Sequence, residues 1–338
     1  MHVLDGTEIG RAGLARLVDR ALALRAGATP RQFAGKRLVT LFLNPSLRTR
    51  TSMEAAASAL GVYPIVLQPG KDSWALEFVD GAVMDGTSVE HVKDAVRVLS
   101  GYADVLAIRA FAGMKDPAED LRDPILSAFA KHAKVPVINM ESAMWHPLQG
   151  LADATTITQH LGPNLAGQPL TLTWAPHPKA LPTAVPNQVL LTAASLGMNV
   201  TLAHPKGMDL APSVMDRCAD LAAAGGGGLQ ITHDQQAAMR GAKVVVAKSW
   251  GGWSGYADRD AEAARRRELA HWRVDPQDMS LTDNAGFMHC LPVRRNVVVH
   301  DDVLDSANSW VVGEAHHRMW TAMALLEAIL GKELSWSA

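Results

Sequence analysis

Residues 42–50 read Phe42-Leu43-Asn44-Pro45-Ser46-Leu47-Arg48-Thr49-Arg50, a stretch that combines two hydroxyls with two guanidinium groups. An apolar, strand-like run over 38–43 ends at Asn44-Pro45, and a helix-like run over 52–60 follows, with Ser46 as its N-cap. The first turn of a helix offers free backbone N–H groups and the positive end of the helix dipole, so an anion sits there readily. Arginines at that end oppose the dipole, which makes helix stability a poor reason for Arg48 and Arg50. A bound phosphate is a good reason, because guanidinium forks grip phosphate oxygens bidentately. The competing reading is a solvated cap with surface arginines.

The elements that must position this stretch alternate. Residues 8–26 read as an amphipathic helix, and strands are expected over 36–43, 63–67, 104–108 and 135–140, the last two ending on Arg109 and Glu141. Thr87-Ser88-Val89-Glu90 reads as a capping box that opens a helix with Val92, Ala95, Val96 and Leu99 on one face. A second set begins near residue 150, with strands over 169–174, 199–203, 229–232 and 243–248 and a short run to Cys290. Its strand ends carry His177, Lys248 and His289-Cys290-Leu291-Pro292. Strands alternating with helices predict an α/β fold with two doubly wound parallel-sheet domains. Ligands on such sheets bind beyond the carboxyl ends of the strands, where all these charged groups fall. A last helix over 318–330 places Met319, Ala322, Met323, Leu326 and Leu330 on one face.

Composition narrows the partners. The chain has 338 residues, 48% of them apolar and 20% charged, with a net charge of −2 and no long basic tract. A sizeable core fits this balance, and nucleic acid or a membrane surface does not. Cys218 and Cys290 lie far apart, so neither a disulfide framework nor zinc-type spacing is present. The first residues lack a signal-peptide pattern and no apolar run is long enough to span a bilayer, which leads to the expectation of a soluble, cytoplasmic protein. The glycine run over 225–228 precedes a strand and lacks the strand–GxGxxG–helix order of a dinucleotide site, which counts against a nucleotide-dependent dehydrogenase.

Five pieces form one constellation: residues 46–50, Arg109, His146-Pro147-Leu148-Gln149, His289-Cys290-Leu291-Pro292 and Arg318. Ser-x-Arg-Thr-Arg, His-Pro-x-Gln and His-Cys-Leu-Pro, in this order over essentially the whole chain, resemble the carbamoyltransferases that act on ornithine and its derivatives. The resemblance implies that Ser46, Leu47, Arg48, Thr49 and Arg109 hold the phosphate of carbamoyl phosphate, with Arg318 adding a donor. It implies that His146 stabilises the carbamoyl oxygen as charge develops there. It further implies that Gln149 and the backbone around Cys290 and Leu291 hold the carbamoyl NH2, within a carbamoyl phosphate site that includes Pro147 and Leu148. No metal, cofactor or covalent intermediate is called for, since positioning and charge stabilisation carry such a reaction. The amine nucleophile, with a solution pKa of about 10.4 by analogy with lysine, must lose a proton, and the departing phosphate can take it. Each residue also has a plainer role: His146 a helix cap before Pro147, Cys290 a small buried apolar group, Arg318 a surface charge, Trp74 ordinary core, and Arg265-Arg266-Arg267 a solvated charge run.

Within the family, Ala247-Lys248-Ser249-Trp250-Gly251 replaces the Ser-Met-Gly motif of ordinary ornithine carbamoyltransferases, and the Pro-rich residues 174–182 resemble a loop of the acylornithine branch. That branch implies a knot near 175–187, a homotrimer with Trp74 reaching a neighbouring subunit, and a site between domains 1–148 and 149–317, with the C-terminal helix (318–338) crossing back onto the first. Glu141, His177, Lys248 and Arg294 are then expected to hold the N-acylated ornithine. Val89 stands where the acetyl enzymes have a glutamate, which would repel a succinyl carboxylate, and Val298 stands where they have a lysine. Both positions favour N-succinyl-L-ornithine as acceptor, with N-acetyl-L-ornithine as the alternative. A non-catalytic carbamoyl phosphate or amino-acid binding protein on the same scaffold is the reading of another class.

Overall fold

The computed structural model describes residues 2–333. It divides into two compact units, one formed by Met1–Leu148 with Arg318–Ala338 and the other by Gln149–His317.

The first unit is built on β1 (Arg37–Phe42), β2 (Tyr63–Leu67), β3 (Leu76–Glu77), β4 (Glu90–His91), β5 (Val105–Arg109) and β6 (Val137–Glu141). Four of these make a parallel sheet in the order β2-β1-β5-β6, and β3 and β4 pair separately. Parallel strands covered on both faces are continuous apolar runs, and here Val39, Leu41, Leu106, Ile108 and Val137 are buried in one core. Around them run α1 (Gly10–Arg25), α2 (Arg48–Ala59), α3 (Val92–Tyr102), α4 (Pro117–Arg122) and α5 (Pro124–His132). The chain winds from β1 to β2 on one side and then crosses to β5 on the other, so the topological switch point lies between the carboxyl ends of β1 and β5.

The second unit carries β7 (Pro169–Trp174), β8 (Asn199–Ala203), β9 (Gly228–Thr232), β10 (Val244–Lys248) and β11 (Gly286–Met288), all parallel, in the order β11-β10-β7-β8-β9. Its switch point falls between β7 and β10. Its helices are α6 (Pro147–Leu161), α7 (Ala184–Ser195), α8 (Pro212–Ala224), α9 (Gln235–Met239), α10 (Ser254–Ala257), α11 (Arg259–Glu268), α12 (Pro276–Ser280) and α13 (Asp301–Leu304), and α14 (Val311–Leu330) starts in this unit and belongs to the first from Arg318 onward.

Three expectations are corrected. The Thr87–Glu90 capping box does not form: Glu90 is drawn into pairing with Leu76, and α3 starts two residues later, capped by His91, whose ring accepts the Lys93 N–H. The last helix begins at Val311, seven residues before the expected start, so Arg318 sits two turns inside it. The run at 265–267 is not simply solvated, because Arg266 is 3% exposed.

Candidate active site

At the first switch point, β1 leads through residues 43–47 into α2, which starts at Arg48, four residues before the expected onset. Asn44 fixes the turn by accepting the Phe111 N–H at 2.7 Å, and the Leu43 N–H donates to the Arg109 carbonyl. The Thr49 N–H donates to Ser46 Oγ at 3.2 Å, so Ser46 closes the helix start although Leu47 holds the cap position in the backbone. Leu47 points outward (77% exposed), Arg48 is half-buried, and Arg50 pairs with Glu54 along the helix.

Two buried guanidinium groups converge on one hydroxyl. Thr49 Oγ1 accepts from Arg318 Nη2 at 2.9 Å and from Arg109 Nη1 at 3.4 Å. Two cations at one hydroxyl, beside the N-terminal turn of α2, suit a polyanionic group. Arg109 also lies over the Phe111 ring and donates to Glu141 Oε2 at 2.6 Å, and the same carboxylate oxygen is 3.4 Å from His146 Nε2. His146 is held by the turn before it: Asn139 donates to the Leu4 and Trp145 carbonyls and to Ser142 Oγ, the Ser142 N–H bonds the Trp145 carbonyl, and Ser142 Oγ donates to Asp123. Burial pushes the Asp123 carboxyl up from its ordinary value.

Pro147 and Leu148 open α6, and Gln149 follows them. Gln149 Nε2 donates to Asp153 Oδ1 at 2.8 Å and to Glu314 Oε1 at 2.7 Å. The second oxygen of Glu314 accepts the His289 N–H at 2.9 Å, and the His289 ring accepts the Leu291 N–H. Cys290 lies half-buried between them, and Leu291 takes a φ of 50°. Asp153 and Glu314 escaped the sequence reading. Their signal was spacing: each stands four residues, one helical turn, from a motif residue, Gln149 and Arg318.

At the second switch point, Lys248 ends β10 beside Trp174 at the end of β7, and its carbonyl accepts the Ala175 N–H. His177 Nε2 accepts from Arg294 Nε at 3.1 Å, and its Nδ1 lies against Lys179, accepting the Lys179 N–H at 3.0 Å and 2.9 Å from the Lys179 carbonyl. Burial, aided by the nearby cations, lowers the His177 pKa and keeps the ring neutral. Arg266 locks the two loops: it donates to the carbonyls of His177, Lys179 and Trp250 and to Ser249 Oγ, and it pairs with buried Glu262. Its partners are mostly main-chain carbonyls distant in sequence, so nothing in an Arg-Arg-Arg run announces it.

Trp74 (59% exposed) and Val89 (66% exposed) lie on the surface of the first unit, and Trp74 Nε1 donates to Glu90. Val298 is buried (2% exposed) in the core of the second unit with Val245 and Phe287. A cavity of about 450 Å³ opens at the amino-terminal ends of β7, β8 and β9, lined by Thr171, Asn199, Thr201, Gln230 and Arg240, at the opposite end of the sheet from the switch point. Among the described residues, no group of three or more His, Cys, Asp or Glu is placed to hold a metal ion.

Comparison with known proteins gives this arrangement its family. Residues 1–159 match the aspartate/ornithine carbamoyltransferase, carbamoyl-P binding domain, and residues 182–329 match the Asp/Orn binding domain. The chain is 42% identical over 333 residues to the N-acetylornithine carbamoyltransferase of Xanthomonas campestris pv. campestris, covering 98% of each chain. It is 37% identical over 295 residues to the N-succinylornithine carbamoyltransferase of Bacteroides thetaiotaomicron, covering 87% of each. A solved N-acetyl-L-ornithine transcarbamylase, a valine-for-glutamate variant complexed with carbamyl phosphate and N-succinyl-L-norvaline, superimposes with a TM-score of 0.95 at 42% identity, over 97% of this chain and 99% of that one. The chain belongs to the aspartate/ornithine carbamoyltransferase family, among its acylornithine carbamoyltransferases. The acetyl relative stands above the succinyl one, the reverse of the order expected from Val89 and Val298.

Proposed function

We propose that the chain transfers the carbamoyl group of carbamoyl phosphate to the δ-amine of an N-acylated L-ornithine, giving the N-acyl-L-citrulline and phosphate, in arginine biosynthesis. The observation that carries this reading is the convergence of Arg109 and Arg318 on Thr49 at the start of α2. There Ser46, Arg48, Thr49, Arg109 and Arg318 take the phosphate, His146 donates to the carbamoyl oxygen, and Gln149 with the backbone at Cys290 and Leu291 takes the carbamoyl NH2. The amine lone pair attacks the carbamoyl carbon, the C–O bond to phosphate breaks, and the amine proton leaves with phosphate. Glu141 meets the amine end of the acceptor, and His177, Lys248 and Arg294 meet its carboxylate and acyl end. A phosphate dianion at Arg109 competes with Glu141 for the same guanidinium, which releases Glu141 toward the incoming amine. The molecule works as a homotrimer with Trp74 shared across subunits, a reading supported by the exposure of Trp74, Val79, Val83 and Val89.

Relatedness favours N-acetyl-L-ornithine as acceptor. A second reading, N-succinyl-L-ornithine, has Val89 behind it: an exposed apolar side chain there puts no charge against a succinyl carboxylate. Both are tested by assaying carbamoyl transfer to N-acetylornithine, N-succinylornithine and ornithine in parallel, in the wild type and in Val89→Glu. Acetyl preference in the wild type supports the first reading. Succinyl preference that collapses in Val89→Glu supports the second, and no turnover of any acceptor supports a non-catalytic binding protein.

A further inference from the structure

The loops that follow β7 and β10 are hydrogen-bonded to each other at two places: the Ala175 N–H donates to the Lys248 carbonyl, and the Gly251 N–H donates to the Leu181 carbonyl. Arg266, from α11, fills the stretch between those bonds. Its Nε and Nη2 both donate to the His177 carbonyl at 3.1 Å. Nη2 also reaches the Lys179 carbonyl at 2.7 Å and Ser249 Oγ at 3.1 Å, and Nη1 reaches the Trp250 carbonyl at 3.1 Å and Glu262 Oε1 at 3.0 Å. A guanidinium has five N–H groups, one on Nε and two on each terminal nitrogen. These acceptors absorb all of them, so Arg266 has no donor left for a bound molecule. Its charge is buried beside Ser249 and Trp250 and lies 5.7 Å from the centroid of the buried Trp174 ring. Burying a charge is costly unless it is fully hydrogen-bonded, and here the bonds all go to the two loops and to α11 itself.

What the loops carry gives Arg266 its use. Lys248 directly precedes Ser249, and His177 is gripped through its own carbonyl. The His177 ring in turn meets Arg294 Nε at 3.1 Å, so the placement of Arg294 follows that of His177. We propose that Arg266 is a positioning residue for the acceptor half of the site: it sets His177 and Lys248, and Arg294 through His177, for the carboxylate and acyl end of the N-acylated ornithine. This rests on the reading in which those three residues meet the acceptor. A lysine in place of Arg266 keeps the charge but gathers its three donors on one atom, so it cannot reproduce the fork that spans both loops. All of these residues belong to the second unit, whereas Ser46, Arg48, Thr49, Arg109 and Arg318, proposed for the phosphate, belong to the first.

The experiment is steady-state kinetics with N-acetylornithine and N-succinylornithine on the wild type, Arg266→Lys and Lys248→Ala, with the binding of inorganic phosphate measured on the same preparations. For the acceptor that the wild type turns over, Arg266→Lys is expected to raise KM about tenfold or more, the factor a displaced charge-assisted hydrogen bond supplies, with kcat within about threefold and phosphate affinity within about twofold. A purely structural role predicts instead a lower melting temperature with the acceptor KM of the folded enzyme unchanged, and that result overturns the proposal. So does an equal loss of acceptor and phosphate binding. Where Arg266→Lys gives no folded protein, Glu262→Gln decides by the same comparison, with a rise of about threefold expected, because an amide in place of the carboxylate loosens the Arg266 fork without removing it. Lys248→Ala separates the proposal from the reading beneath it. A raised acceptor KM in Lys248→Ala with an unchanged one in Arg266→Lys overturns the proposal alone. An unchanged KM in Lys248→Ala overturns the assignment of the acceptor residues and the proposal with it. A wild type that turns over neither acceptor overturns the transferase reading itself.

Discussion

Replacing Thr49 by valine keeps the shape of the side chain and deletes the atom on which Arg318 and Arg109 both converge. The guanidiniums then face a methyl group, and a hydroxyl donor to phosphate is lost as well. Phosphate affinity is expected to fall about 10-fold in Thr49→Val, and about 10- to 100-fold in Arg318→Lys, where the fork becomes a point charge. Calorimetric titration with inorganic phosphate checks both, and an unchanged affinity in either would remove that residue from the anion site. His177 gives a pH prediction. Its pKa is lowered in the folded state by burial, so the folded chain takes up this proton less readily than the unfolded chain. The neutral ring therefore stabilises the fold above the ordinary histidine pKa, and this contribution drains away as pH drops through that value toward the lower folded one. Protonation would also set an Nε2–H against the Arg294 Nε–H. The denaturant midpoint of the wild type should fall further than that of His177→Gln between pH 7.5 and 5. Parallel falls would mean that His177 does not contribute.

Helix α6 lies close against α7 at Gly150, the residue after Gln149, where there is no side chain. A Cβ on Gly150 would lie 2.4 Å from Thr192 Oγ1 and 2.8 Å from Gln188 Nε2, both on α7. Gly150→Ala must push the two helices apart or displace two buried polar groups. It should destabilise the chain by about 1–3 kcal/mol and raise KM for carbamoyl phosphate more than KM for the acceptor, measured by melting and by steady-state kinetics. Close approaches of this kind explain what the sequence hides. Four of the parallel strands were legible because each is a local apolar run that ends on or just before an unusual polar group: β5 on Arg109, β6 on Glu141, β7 shortly before His177, and β10 on Lys248. The Thr87–Glu90 motif misled because a local capping pattern lost to strand pairing with Leu76. Arg266, Asp153 and Glu314 were hidden because their partners are set by tertiary contacts. In Arg266 the same guanidinium that reads as solvated charge binds three main-chain carbonyls in the loops that follow β7 and β10.

At the scale of the whole molecule, the chain leaves its first unit at Leu148 and returns to it only at Arg318. The returning half of α14 must therefore be clamped if Arg318 is to stay on Thr49. The clamp is Glu327, 3% exposed, whose carboxylate accepts Arg20 Nε at 2.6 Å, Arg20 Nη2 at 2.9 Å and the Arg31 N–H at 2.8 Å. Arg20 lies on α1, so one carboxylate binds the last helix to the first, 307 residues away in sequence. Glu327→Gln keeps the volume and the Arg31 contact but gives up the charged fork. Arg20 is partly exposed, so the cost is expected near 2 kcal/mol, below that of a fully buried pair. The stability loss by itself would be ordinary. The informative readout is phosphate: about two and a half turns of helix from the substitution, affinity should fall about threefold to tenfold as Arg318 loses its fixed position, and saturating phosphate should recover part of the lost melting temperature by mass action. A lowered melting temperature with unchanged phosphate affinity would show instead that the apolar face of α14, with Ala322, Met323 and Leu326 buried, holds Arg318 in place without the Glu327 clamp.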